Sequence, residues 1–308
     1  MLNTVLVPLD GSSLAECVLP HAVAIAKAFD AQITLLNILE QPSESLRMPK
    51  ADPLDWYLKK TEADIYLSGV KTRLEECSLS VKKMFLEGRA TEQIVELAHT
   101  SNADLLILSS HGGSNVQQIL QRIRTSTLII RTTQPNTVHI SDLRYQRLLV
   151  PLDGSRRAGA TLPMATALAQ AHQAELLLVH VVNKPEMARH MPLTHEDEEL
   201  MNRFIERNQE EGTKYLEHLQ AHLTPHVQTH LLVSDNVAAT IQGFSEQEQI
   251  DLLILSAHGY SGDAKWAYGG VTNRFITDGT MPLLIVQDLP HESPEIARDD
   301  VTVRRLAR

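Results

Sequence analysis

Cysteine is nearly missing from this chain: 308 residues hold only Cys17 and Cys77. Two isolated thiols cannot build a disulfide framework, and they read as reduced residues of an intracellular protein. Basic charge is also in deficit, with 28 Lys+Arg against 38 Asp+Glu and a net charge of −10. Nucleic-acid and anionic-membrane binders need basic surface, so neither class is expected. No apolar run approaches the roughly 20 residues that span a bilayer; the run at 176–182 is already broken by His180. Met1-Leu2-Asn3-Thr4 places no basic stretch before an apolar one, which argues against a secretory signal. Catalytic fingerprints are missing as well: there is no Gly-x4-Gly-Lys-Ser/Thr loop, no Gly-x-Gly-x2-Gly turn and no Gly-x-Ser-x-Gly elbow. What remains is a soluble, cytoplasmic protein that is 43% apolar and 21% charged, enough for ordinary cores. Its length favours two domains.

The chain repeats itself. Val5-Leu6-Val7-Pro8-Leu9-Asp10-Gly11-Ser12 returns as Leu148-Leu149-Val150-Pro151-Leu152-Asp153-Gly154-Ser155, an offset of 143 residues. Asp104-Leu105-Leu106-Ile107-Leu108-Ser109-Ser110-His111-Gly112 returns at Asp251 with an offset of 147, and Leu128-Ile129-Ile130 returns at Leu283 with an offset of 155. The expected domains are 1–135 and 145–290, followed by a charged tail at 291–308. The largest step in offset, eight residues, falls just after the His-Gly pair.

Each copy alternates short apolar runs with helical spacing. The runs are 4–8, 32–39, 80–86, 105–109 and 127–131, then 147–151, 175–182, 227–233, 252–256 and 282–286. Continuously apolar strands belong to parallel sheets covered on both faces. The expected fold is therefore α/β, two tandem doubly wound parallel five-stranded sheets of Rossmann-like kind. Ligands of such sheets sit beyond the carboxyl ends of the strands. That end holds Asp10 and Asp153, Ile38 and Val181, and the two His-Gly segments. In the second copy, Gly269-Gly270 precedes a helical pattern, where free N–H groups and the positive end of the helix dipole suit a phosphate. Glycines of this kind also make plain turns; their place after a buried strand favours the binding reading.

These motifs together resemble the universal stress protein family: Pro-x-Asp-Gly-Ser, the strand ending in His180-Val181, Asp-Leu-Leu-Ile-Leu-Ser-x-His-Gly, and nine residues before Gly269-Gly270-Val271-Thr272. The resemblance covers nearly the whole chain twice and implies an adenine-nucleotide α-hydrolase-like fold. It also implies ATP as ligand, with Mg²⁺ on the phosphates, through a Gly-x2-Gly-x9-Gly-Ser/Thr loop. By that resemblance Asp153 and Val181 take the adenine side. Ser256, Gly259, Gly269 and Gly270 fill the loop positions, Ser256 standing for a usual Gly and Gly270 for a usual Ser or Thr. Thr272 offers a hydroxyll two residues on. The first copy has Gln121-Arg122 where Gly-Ser should stand, so ATP is expected in the second domain only. The last strands of the two halves are expected to pair, and the chain to form a homodimer with a further protein partner.

The resulting expectation is a stress-response nucleotide sensor. The alternatives are a scaffold without nucleotide and a slow ATP hydrolase; as an enzyme it is a weak ATPase at most, with no catalytic residue assigned. His218, His222, His226 and His230 recur every four residues, but Thr224-Pro225 should end their helix, so no metal site is expected there.

Overall fold

The computed structural model describes residues 2–40, 53–110, 114–131, 139–184, 194–223, 226–260 and 267–287. The expected tail at 291–308, the first His-Gly pair (His111-Gly112) and the linker at 132–138 lie outside them.

The first half runs β1 (Thr4–Pro8), α1 (Leu19–Phe29), β2 (Gln32–Leu39), α2 (Pro53–Glu75), β3 (Val81–Glu87), α3 (Ala90–Thr100), β4 (Leu105–Ser110), α4 (Ser114–Leu120) and β5 (Ser126–Arg131). The second runs β6 (Arg147–Pro151), α5 (Arg156–Gly159), α6 (Leu162–His172), β7 (Glu175–Asn183), α7 (His195–His222), β8 (Val227–Ser234), α8 (Val237–Gln247), β9 (Leu252–Ser256), α9 (Gly270–Asp278) and β10 (Leu283–Val286). All ten strands fall within one residue of the apolar runs; the inner strands are largely buried, whereas the edge strands β3 and β8 are each fully buried at one position only. β9 and β10 are buried at every position.

The ten strands make one sheet in the order β3-β2-β1-β4-β5-β10-β9-β6-β7-β8. Each half is parallel throughout and carries the same internal order. The expected pairing of the last strands is present: β5 and β10 run antiparallel, with Ile129 opposite Leu283 and Thr127 opposite Ile285. Helices cover both faces of the sheet, and apolar clusters lie between the layers on each side.

The repeated aspartates explain themselves locally. Asp104 Oδ2 accepts from the N–H groups of Asn3 (2.7 Å) and Thr4 (2.9 Å), pinning the start of β1 beside β4. Asp251 Oδ2 does the same for Gln146 and Arg147 (2.9 Å for the latter). Such staples satisfy donors that lie ahead of the first ladder bond.

The seam between halves has its own core. Tyr145 is 1% exposed and enters between α1 and α6, which pack on each other. Its hydroxyl lies 2.8 Å from Nδ1 of His21, and its ring meets His172 edge-on at 5.1 Å. Burial lowers the pKa of His21 to about 4 and lowers that of His172. From the first half, Arg131 reaches across the seam to the end of α9, where its guanidinium donates to the carbonyls of Phe275 (2.9 Å), Ile276 and Gly279. The Phe275 carbonyl also accepts from Gly279 N–H at 3.1 Å, and a cation at this helix C-terminus meets the negative end of the dipole. A Cβ at Gly279 would sit 2.7 Å from Arg131 Nη1 and 2.6 Å from the Phe275 oxygen, which is why glycine stands there.

No helix among the described residues is long and apolar enough to cross a membrane.

Candidate functional site

The strand order reverses between β6 and β9, whose register holds only for Leu148–Leu252 and Leu149–Leu253 before the two strands part. A cavity of about 120 Å³ opens where they part. It gathers Asp153, Val181, Ser256, Gly259, Gly269, Gly270 and Thr272, with Val179, Val237 and Ile241 as apolar wall. All seven residues singled out from the sequence thus line one pocket, at the switch point where open α/β sheets take ligands.

Asp153 begins a turn in which Gly154 adopts φ +81° and Ser155 caps the short α5, its Oγ accepting from Ala158 N–H at 3.1 Å. Asp153 Oδ1 accepts from Ser155 N–H at 2.9 Å, and Oδ2 accepts from Tyr260 N–H at 2.6 Å. The second bond ties the end of β6 to the loop after β9. Gly259 makes it possible, since a Cβ there would lie 2.3 Å from Asp153 Oδ2.

The hydroxyls of the loop are used within the loop. Ser256 is buried at the end of β9 and donates to the His258 carbonyl at 2.7 Å. Thr272 is buried too, and its hydroxyl donates to the Ser256 carbonyl at 2.8 Å. Thr272 therefore locks α9 onto β9, and its hydroxyl is committed to that bond.

Gly269 is the N-cap of α9 in extended backbone (φ −67°, ψ 162°); its N–H donates to the Ala257 carbonyl at 2.8 Å. The first intrahelical bond runs from Asn273 N–H to the Gly269 carbonyl at 2.8 Å. The N–H groups of Gly270, Val271 and Thr272 precede it and have no partner within the helix. Gly269 has no side chain to cap them. A Cβ on Gly270 would meet nothing within 4 Å, so the approach to these donors is open. Just before them, the buried Tyr268 hydroxyl lacks a partner, and burial pushes its pKa up.

The first half keeps the turn and not the loop. Asp10 Oδ1 accepts from Ser12 N–H at 2.8 Å, Gly11 sits at φ +86°, and Ser12 Oγ accepts from Ala15 N–H at 3.1 Å. Three residues (111–113) separate β4 from α4, against thirteen (257–269) between β9 and α9. Gln121-Arg122 follows the end of α4 rather than preceding its start, and α4 itself is only seven residues long. Asp10 and Ile38 line a separate hollow of about 180 Å³, and no glycine is among the described residues that line it.

One pairing behind the second site escaped sequence reading. His180 Nδ1 meets the Leu152 carbonyl at 2.7 Å and its ring stacks edge-on against Tyr215 at 6.1 Å. A Cβ on Gly212 would approach the His180 ring to 2.8 Å. Asn37 stands at the equivalent place in the first half, its Nδ2 donating to the Leu9 carbonyl at 2.8 Å. The signal in the sequence was a glycine at mid-helix, a costly choice that needs a packing reason. The histidine series does not converge: His218 and His222 have rings 4.4 Å apart on α7, whereas His230 packs on Phe244 from β8. Among the described residues no group of three or more His, Cys, Asp or Glu is placed to hold a metal.

Comparison with known proteins adds the lineage. The sequence profile described as "Universal stress protein family" matches residues 1–133 and again 144–287. Universal stress protein MJ0531 of Methanocaldococcus jannaschii is 31% identical over 121 residues, 39% of this chain and 71% of that protein. Universal stress protein MJ0577 of the same organism is 25% identical over 150 residues, 44% of this chain and 93% of that protein. A crystal structure of a universal stress protein from Archaeoglobus fulgidus covers 95% of this chain and 98% of its own, with a TM-score of 0.65 at 17% identity. One from Pseudomonas aeruginosa covers 93% of each chain with a TM-score of 0.66 at 13% identity. At those identities the two structures speak for the fold. Fold, repeat and both profile matches agree: the chain belongs to the universal stress protein family, with one member's worth of sequence in each half.

Proposed function

We propose that this protein is an adenine-nucleotide sensor that holds ATP in its second half only. The observation that carries the reading is the N-terminus of α9: three unpaired N–H groups, flanked by Gly269-Gly270 and opening onto the pocket that contains Asp153. Helix dipole and free amides suit a polyphosphate. Val179, Val181, Val237 and Ile241 offer the flat apolar wall a purine needs, and the Asp153 carboxylate has lone pairs left for an exocyclic amine. A cavity of about 120 Å³ is below the roughly 300–1,000 Å³ of a whole-ligand pocket. It accordingly seats part of the nucleotide, with the phosphates lying across its mouth. Magnesium in this reading arrives on the phosphates. Ligand binding stabilises the described ends of the connection, residues 257–260 and 268–272, and the surface around them is what a partner protein reads.

The test is thermal unfolding with and without Mg-ATP. At a hundred times Kd, nucleotide stabilises the folded chain by about 2.7 kcal/mol. A Gly270→Val variant keeps its fold, since its side chain enters open space, and loses the shift because that space is the pocket mouth. The absence of a shift in the unaltered protein at millimolar Mg-ATP sinks the reading.

A scaffold without nucleotide is the second reading. The Asp153–Tyr260 bond supports it, because that bond closes the loop on the sheet with no ligand. Phosphate release above background that disappears in Gly270→Val would instead mark a slow hydrolase.

A further inference from the structure

A third cavity, about 650 Å³, lies in the first half between the end of β2 and the N-terminal part of α2. Its polar lining is made by Asp10, Asn37 and Glu40 from the sheet side and by Trp56, Lys59 and Glu62 from the helix. Among the described lining residues, three carboxylates stand against one ammonium, a balance of −2. Glu40 accepts from Ala90 N–H at 3.3 Å and Asp10 from Ser12 N–H, so each is held in place while keeping acceptor capacity. Asn37 supplies an independent pointer. It is 5% exposed, its Nδ2 is spent on the Leu9 carbonyl, and its Oδ1 is buried without any partner. An orphan acceptor of that kind costs free energy until a donor reaches it.

Three of the lining side chains have no like counterpart in the second half. The sheet-facing positions of the two long helices run Ala63, Leu67, Val70, Leu74 in α2 and Asn208, Gly212, Tyr215, Leu219 in α7, an offset of 145. On that offset Glu62 corresponds to Arg207 and Trp56 to Met201, while the offset of 143 along β2 and β7 sets Glu40 against Asn183 and Asn37 against His180. On these offsets the second half lacks counterparts of Glu40, Glu62 and Trp56, and carries Phe204 in place of Lys59 and Glu211 in place of Tyr66. Anions are repelled from such a lining. A cation is drawn to it, and the half-buried Trp56 adds a ring face that attracts ammonium groups and covers methylene.

We propose that this cleft binds an aliphatic polyamine, with ammonium groups on Asp10, Glu40 and Glu62, an N–H donor reaching Asn37 Oδ1, and the methylene chain along Trp56 and Ile38. A metal ion fits less well, since a bare cation has no use for the apolar wall. The inference is independent of nucleotide in the second half.

The chain has two tryptophans, Trp56 and Trp266, so the full-length Trp266→Phe protein reports on Trp56 alone. Spermidine is titrated at about 0.15 M salt, where general attraction to an acidic surface is screened beyond about 8 Å, with Trp56 emission and titration calorimetry read together. Saturable one-site binding is expected, weakened at least tenfold in E40Q/E62Q and unchanged in E206Q/E210Q, which removes the same charge from the exposed face of α7. Glutamine at position 40 retains an oxygen for Ala90, so the variant keeps its local fold. Absence of saturable binding by both readouts overturns the proposal, and so does equal binding by E40Q/E62Q and the parent.

Discussion

Asp10 and Asp153 start the same turn with the same glycine and the same capping serine, yet only one of them holds a second element. Both carboxylates accept from the N–H two residues on. Asp153 then uses its other oxygen on Tyr260 N–H, reaching 107 residues along the chain. The first turn is complete as a piece of local structure and the second is also an anchor for the loop that leads to α9. Repetition of a motif therefore says that a turn is kept, and its long-range partner says what the turn is for.

The largest expected effect breaks the seam on which both halves depend. His21 is neutral in the fold, with a pKa lowered to about 4 from 6.5. The unfolded state then binds more protons between those values, so stability is complete above about pH 6.5 and falls as pH drops toward 4. The loss approaches about 3 kcal/mol, read as the urea midpoint at pH 7.5 and pH 4.5. A His21→Phe variant should flatten the difference; an unchanged pH profile in it contradicts the assignment. Next is Arg131→Met, which leaves three α9 carbonyls without their cation and should cost about 2 kcal/mol. If the halves were energetically separate, this first-half change would leave second-half nucleotide binding untouched, whereas weakened binding is expected.

Gly259→Ala tests the Asp153 anchor. Its Cβ has only 2.3 Å to Oδ2, and displacing the carboxylate should cost about 1–3 kcal/mol. Asp10→Asn disturbs only a local turn and should fall within about 0.5 kcal/mol; similar denaturation midpoints for the two variants would remove the contrast between the turns. The smallest change is Gly270→Ser. Open space around its Cβ keeps stability within about 0.5 kcal/mol, while an added hydroxyl at the pocket mouth should tighten Mg-ATP measurably by calorimetry.

Strands and pocket lining were readable in advance because both follow from near neighbours: continuous apolar runs mark a doubly covered sheet, and glycine before a helical pattern marks an uncapped N-terminus. The uses of Ser256 and Thr272 were not readable. Each hydroxyl had several acceptors within reach on paper, and only the fold places the His258 and Ser256 carbonyls beside them. Arg131 gave no hint of its role, since its partners are about 145 residues away. The packing of Gly212 against the His180 ring was hidden because its partners lie 32 residues apart on different elements, and only the fold brings them together.

The antiparallel meeting of β5 and β10 happens inside one chain. A tether fixes the local concentration of the two halves, so dilution does not part them, and the sheet stays ten strands wide however little protein is present. Each half lends its neighbour an edge regardless of whether its own loop survives. β5 keeps this pairing in a half where three residues, not thirteen, separate the fourth strand from the helix that follows. Among the described residues the pairing leaves β3 and β8 as the margins of this sheet, where another chain can add a strand.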